Sequence, residues 1–254
     1  MKTCSNCAFL LGDEDRFCGN CGISVKFENT KRNLKSTQLI IAFFVSMLVL
    51  HLISNFAYQE SIALSTELTL ELIFIGITLG FSLSDWSAIK PLYSFKNLEW
   101  KGLVTSLVLP LISVVVVYFL ISEVNLYLFE EDPSIMEDYD YYDRPFLWAF
   151  IFISLVAPIF EELAFRGFLY NQMRDIASAQ TTILATGFMF ALIHLSLFSF
   201  IWIFPFGIAL GYLRYKYKTL WWGMLVHFLH NTAVLAMDYH EYYGQWPLLE
   251  TYFS

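Results

Sequence analysis

The sequence predicts an all-α protein: a polytopic transmembrane helical bundle of about seven spans, headed by a small cysteine-rich module. Three observations lead there. Of 254 residues, 57% are hydrophobic, 19% aromatic and only 15% charged, and mean hydropathy is +0.55, which sets aside a water-soluble globule. The apolar residues gather into runs close to the ~20 residues that a bilayer core demands of a helix. The few charges collect at the ends of those runs, mostly with one sign on each side.

Taken in chain order, the first element is the cysteine module. Cys4-Ser5-Asn6-Cys7 and Cys18-Gly19-Asn20-Cys21 are two CxxC knuckles that hold all four cysteines of the chain. Four thiolates at this spacing suit tetrahedral Zn²⁺ in a closed structural site, with Gly19 and Gly22 suited to the tight turns. Two disulfides are the alternative, and a reducing cytoplasm disfavours them. A chain this short cannot fold around its own core, so metal would supply most of its stability. Residues 1–29 are therefore expected to be a zinc ribbon, similar to those fused to many bacterial membrane proteins. It would serve as a dock for a cytoplasmic protein partner or as a folded cap.

Seven apolar segments follow, at about Leu39 to Phe56, Leu68 to Leu83, Leu103 to Ile121, Phe146 to Phe165, Thr181 to Leu197, Phe198 to Leu213 and Leu220 to Met237. Residues 30–100 then hold N-terminal transmembrane helices, 101–237 the membrane core, and 238–254 a short tail. Lys and Arg near segment ends stay on the cytoplasmic side. With the N-terminus inside, every cation except Arg144 falls inside. The loop from Glu123 to Asp143, with eight carboxylates, and the cation-free tail after Met237 fall outside. A cleavable signal peptide is not expected, because the polar cysteine segment stands where its apolar run would be. The aromatics Tyr212, Tyr215, Tyr217, Trp221 and Trp222 flank the turn from Arg214 to Lys218 and read as an interfacial belt. A net charge of −8 with no broad basic face argues against a nucleic-acid partner. Membrane lipid is the expected surrounding.

Ionisable groups at membrane depth are costly, about 2.5–3.5 kcal/mol each on insertion scales, and persist when paired or used. Glu161 and Glu162 end the run Ala157-Pro158-Ile159-Phe160, and Arg166 lies one turn past Glu162 on the same helical face. His194 closes Phe190-Ala191-Leu192-Ile193-His194. His227 and Asn231, again one turn apart, share a face of the seventh segment. Thirty-three residues separate Glu161 from His194, and the midpoint falls in the polar break Asp175-Ile176-Ala177-Ser178. Folding back there brings the two side chains to one height. His230 is expected behind His227, and His51, Glu71 and Asp85, which match no motif, are expected to satisfy local partners or segment ends.

Glu161-Glu162-Leu163-Ala164-Phe165-Arg166 matches EExxxR, Phe190 to His194 matches FxxxH, and His227 to Asn231 matches HxxxN. In order and spacing, residues 100–237 resemble the CPBP family, the CAAX-protease and bacteriocin-processing (Abi) intramembrane proteases. The resemblance implies a helical bundle whose site opens toward the cytoplasm, a peptide or membrane-protein substrate, and a bacterial cytoplasmic membrane as the location.

The constellation suits peptide hydrolysis near the cytoplasmic leaflet. Glu161 would act as general base on a water held with His194. His227 and the Asn231 amide would donate to the oxyanion. Glu162, paired to Arg166, would orient the site. Proteins of this family are often called metalloproteases, so a catalytic Zn²⁺ on Glu161, His194 and His227 stays open, although no i,i+4 histidine pair supplies a ready clamp. Taken singly, the Glu162–Arg166 pair reads as a structural ion pair and each histidine as a helix–helix hydrogen bonder. A non-catalytic scaffold or bacteriocin self-immunity protein that docks through its zinc ribbon is the alternative, and proton or ion transport a third.

Overall fold

The computed structural model describes residues 2–4, 6–12, 15, 17–23, 30–60, 63–129 and 134–247. Arg16, Lys26, the end of the expected ribbon at 24–29 and the loop acids Glu130, Glu131 and Asp132 lie outside them. A two-stranded antiparallel ribbon opens the chain, with β1 (Lys2–Thr3) against β2 (Leu10–Leu11), Lys2 opposite Leu11 and Thr3 opposite Leu10. The long helices are α1 (Thr30–Glu60), α2 (Leu64–Ser84) and α3 (Trp100–Leu128). A short helix, α4 (Ile135–Tyr139), precedes α5 (Pro145–Ile176), α6 (Ala179–Ile193), α7 (Leu197–Tyr217) and α8 (Trp221–Tyr243).

The protein is an integral membrane protein, with five helices long and apolar enough to cross a bilayer: Asn33–Tyr58 within α1, then α2, α3, α5 and α7. The expected count of seven is not met among the described residues. α6 is short, at 15 residues, and α8, at 23 residues, is interrupted by His227, His230, Asn231 and Asp238. The tail boundary at 238 also falls inside α8, whose Tyr239 is buried. Asp238 accepts from the backbone N–H groups of Ile135 at 3.2 Å and Met136 at 2.9 Å. That contact seats the first turn of α4 on the end of α8, where α4 satisfies its free N–H groups.

The main core joins α1, α2, α5 and α6 through Phe43, Met47, Phe74, Phe165, Phe168 and Phe190. Edge-to-face packing orders it, with Phe43 to Phe165 at 5.7 Å and Phe165 to Phe190 at 5.1 Å between ring centroids, the geometry aromatic rings prefer. The helices stand in two end groups. At one end α1 meets α5 through Ser36 and Asp175 at 3.1 Å, and Arg214 Nη2 donates to Asn171 Oδ1 at 3.1 Å. The knuckle residue Gly22 also faces Ser178 in the α5–α6 turn there. Whereas Arg144 immediately precedes α5 at the other end, Arg174, Arg214, Lys216 and Lys218 stand at this one. Its belt is divided, since Tyr212 and Tyr215 are exposed whereas Tyr217 and Trp222 are buried. At the other end α4 packs over α5 and α8 through Met136, Tyr139, Phe152 and Leu235.

α6 and α7 form a close hairpin because both present glycine at the crossing. A Cβ on Gly187 would stand 3.0 Å from the Ile208 nitrogen, and one on Gly207 3.0 Å from the Gly187 Cα. Small residues let helix backbones approach where lipid supplies no hydrophobic drive between them. Gly187→Ala should therefore lower stability by about 1–3 kcal/mol through overpacking. Gly80→Ala, with nothing within 4 Å of its Cβ, should be neutral or slightly stabilising. Thermal unfolding of both variants in detergent checks this, and equal melting temperatures would contradict it.

Candidate active site

The helix that carries Glu161 changes winding around it. Pro158 has no N–H to return to Ser154, and the ladder is π-helical over Phe150–Val156 and again over Glu162–Leu169, with the α-helical turn Ala157–Glu161 between. Such π segments often accompany functional sites. Glu161 and Glu162 are one residue, about 100° of helix, apart. They face different surroundings.

Glu162 points into the protein. It and Arg166 are both fully buried, with Arg166 Nη1 3.0 Å from Glu162 Oε1. Arg166 Nη2 donates to the Gly207 carbonyl at 3.1 Å, and its guanidinium lies 4.3 Å over the Phe190 ring. Gly223 makes room for this pair, because a Cβ there would collide with Glu162 Oε2. Glu161 instead opens into a cavity of about 350 Å³, which His194, His227, His230 and Asn231 also line.

His227 joins the two carboxylates. Its Nε2 lies 3.7 Å from Glu161 Oε2 and its Nδ1 3.5 Å from Glu162 Oε1. His194 is fixed by Nδ1, which donates to the Phe190 carbonyl at 2.8 Å. Asn231 donates from Nδ2 to the Ile153 carbonyl at 2.8 Å, so one amide hydrogen is already committed and one is left for an oxyanion. The structure thus brings Glu161, His194, His227 and Asn231 to one cavity and sets Glu162 and Arg166 behind it.

Two cavity residues were assigned elsewhere by the sequence. Glu71, expected to find a local partner, lines the cavity from α2, and His230 lines it rather than standing behind His227. The signal for Glu71 was its spacing of four from Glu67 on an otherwise apolar helix. His51 takes a local partner, the Met47 carbonyl at 2.8 Å, whereas Asp85 stands at the end of α2 and accepts from Asn171 Nδ2 of α5 at 3.2 Å.

The cavity extends toward the α4 end, where Ile135, Tyr139 and Ser199 line it. That is the end opposite the cationic turns. If the cations mark the cytoplasm, the cavity faces away from it, against the opening implied by the family resemblance.

Residues 143–233 match the family model Rce1-like, described as type II CAAX prenyl endopeptidase Rce1-like. This segment is similar to the Rce1-like family over those residues, about a third of the chain. No curated protein and no solved structure compared matches the chain. The Rce1-like match spans all seven motif residues, the six polar ones and Phe190, and supports protease activity in general. Glu71 lies outside it.

The four cysteines form the second candidate site. Their Sγ atoms all lie within 4.8 Å of one another, with Cys4 to Cys21 at 3.6 Å and Cys7 to Cys18 at 3.5 Å. Tetrahedral Zn–S bonds of ~2.3 Å would put sulfurs about 3.8 Å apart, so the donor set fits. The knuckles repeat each other: Cys4 N–H donates to Phe9 and Cys18 N–H to Ile23, each at 2.8 Å. The left-handed positions are Ala8 at φ 54° and Gly22 at φ 73°, the residues that follow Cys7 and Cys21, and Gly19 is not one of them. Burial pushes the Cys18 thiol up to about 11, while the Ile23 backbone N–H brings Cys21 down to about 6. Cys18 must therefore give up a proton to bind metal, and affinity should rise with pH. Among the described residues, the cysteines are the cluster of three or more such side chains close enough to hold an ion.

Two outcomes follow from these sites. Arg166→Ala strands a buried carboxylate, and should lower stability by about 3–5 kcal/mol; denaturant titration in detergent reads it. Protein purified without added metal should carry about one zinc per chain by elemental analysis, and Cys18→Ser should lose most of it.

Proposed function

We propose that the chain is an intramembrane endopeptidase that hydrolyses a peptide bond with a water activated by Glu161 and oriented by His194. The carrying observation is the shared cavity: an acid, two imidazoles and an amide from α5, α6 and α8 line one space of about 350 Å³, inside the Rce1-like segment. Embedded polar groups are too costly to gather at one depth without use. Glu161 takes the water proton as the water attacks the scissile carbonyl, and passes it to the leaving amine. His194 accepts a hydrogen bond from the water through Nε2, since its Nδ1 hydrogen is held by Phe190. The free N–H of Asn231 and a hydrogen of His227 stabilise the oxyanion, an arrangement typically worth a few kcal/mol in a water-excluded site. Glu162 and Arg166 hold Glu161 and His227 in register and take no part in proton transfer. The zinc ribbon docks a cytoplasmic partner or caps the bundle.

If a metal supplied the Lewis acid, Glu161, His194 and His227 would hold it and polarise the carbonyl. Their chemistry suits zinc, but among the described residues the cysteines, and not these three, form a group close enough to hold an ion.

Hydrolysis of quenched fluorescent peptides by the purified chain tests the reading. Glu161→Ala and His194→Ala should each lower kcat by about 10²–10⁴-fold, the scale of a lost general acid–base group. Full cleavage by either variant would overturn it, and leave the non-catalytic scaffold.

A further inference from the structure

The cavity holds acceptors that the hydrolytic reading does not use. Glu71 Oε2 is buried without a hydrogen-bond partner. His230 is fully buried between Trp202 and Phe206, whose ring centroids stand 4.8 and 4.7 Å away. Its neighbour sets its tautomer. Ser113 has one hydroxyl hydrogen, which goes to the Pro110 carbonyl at 3.0 Å. With that hydrogen on Pro110, Ser113 Oγ accepts from His230 Nδ1–H at 2.8 Å, which is the tautomer assigned to the ring. In the neutral ring that leaves Nε2 as a bare lone pair, and Nε2 has no partner.

Glu71, Glu161, His194 Nε2 and His230 Nε2 therefore present acceptors to one space. A second cavity, of about 430 Å³, adjoins it at the α4 end and shares Ile135, Tyr139 and Ile153. Glu67 and Asp138 line that one, together with Tyr58 and Tyr142. No Lys or Arg lines either cavity among the described residues. Glu67 accepts from the Tyr139 hydroxyl at 3.0 Å and Glu161 stands beside His227, which leaves Glu71, whose buried Oε2 has no partner, as the carboxylate that asks for a cationic guest.

We propose that the substrate is a cationic peptide, entering from the acidic end and laying a lysine or arginine side chain against Glu71 and His230. This rests on the hydrolytic reading and adds the substrate class to it. The walls favour a side chain over a bare ion: Phe152, Ile153, Ile203 and Val234 offer an apolar lining for an aliphatic stem, which Lys and Arg bury while their heads stay solvated or paired. An ion alone would need ligands converging as the cysteines do.

The test uses the full chain in detergent and fluorescein-labelled decapeptides of leucine and alanine, with one residue varied among Lys, Arg, norleucine and Glu and walked along the sequence. Fluorescence anisotropy reads binding, and mass spectrometry reads cleavage in parallel. At one register Lys and Arg should bind at least about tenfold more tightly than norleucine. Glu71→Gln, nearly isosteric, should cut that ratio below about threefold, and Glu71→Lys should transfer the preference to the Glu peptide. His230→Phe keeps the ring and loses the acceptor, so it should also reduce the ratio, and it decides the matter if Glu71→Gln fails to fold. Equal affinity for Lys and norleucine at every register overturns the proposal. So does a Lys preference untouched by both variants. Lys-selective binding without cleavage supports the cation site and overturns hydrolysis, whereas cleavage without selectivity overturns the cation site alone.

Discussion

The buried pair of Glu162 and Arg166 is the constraint on which the rest depends. Removing two charges from water is expensive, several kcal/mol per ion even after relaxation, and is recovered only with close geometry and further partners. Here the partners come from three other helices: the Gly207 carbonyl from α7, the Phe190 ring face from α6, and the space left by Gly223 in α8. The pair therefore fixes the mutual position of four helices. It also fixes the neighbouring residue, because with Glu162 turned inward Glu161 has only the cavity to face. His227, in contact with both carboxylates, carries the same constraint into α8.

This arrangement explains why the six polar motif residues were legible from the sequence. Each is a polar group in an apolar run, and a polar group at membrane depth advertises itself. The turn at Asp175 to Ser178 was legible for a similar reason, with Ser178 capping α6 through Thr181. The cysteine knuckles were legible by spacing alone. Glu71 was not, because a single acid in α2 looks like any embedded acid until the fold shows what it faces. The short helix α4 was hidden too. Its five residues sit in an acidic loop, and what makes them structural is Asp238, more than a hundred residues later, in a segment that composition set aside as tail.

The direction of the cavity was also out of reach of pattern. Cation counting sorts helix ends into two faces, and the helices obey that sorting. It says nothing about where empty space lies between them. The basic end is closed by side-chain and backbone contacts, including Arg214 with the Arg166 carbonyl and Thr219 with the Leu92 carbonyl. The acidic end is filled by one short helix, held by Asp238, by Tyr139 on Glu67 and by the packing of Met136 and Tyr139. Space is left where packing is thinnest, and here that is the face away from the lysines.

The same reasoning accounts for the two helices that fail the test of a membrane span. A lipid-facing helix must be apolar around its circumference, but an interior one need only match its neighbours. α6 is held by glycine crossings and core aromatics, and so survives being short. α8 turns His227, His230 and Asn231 toward the cavity and Asp238 toward α4, and these polar groups lower its hydropathy. Its weakness as a hydropathy signal thus has the same cause as its importance. α5 and α2 keep the hydropathy of a span while carrying Glu161 and Glu71, because each brings one such group to the cavity among many apolar residues, whereas α8 supplies three of the cavity's polar side chains from two turns of helix.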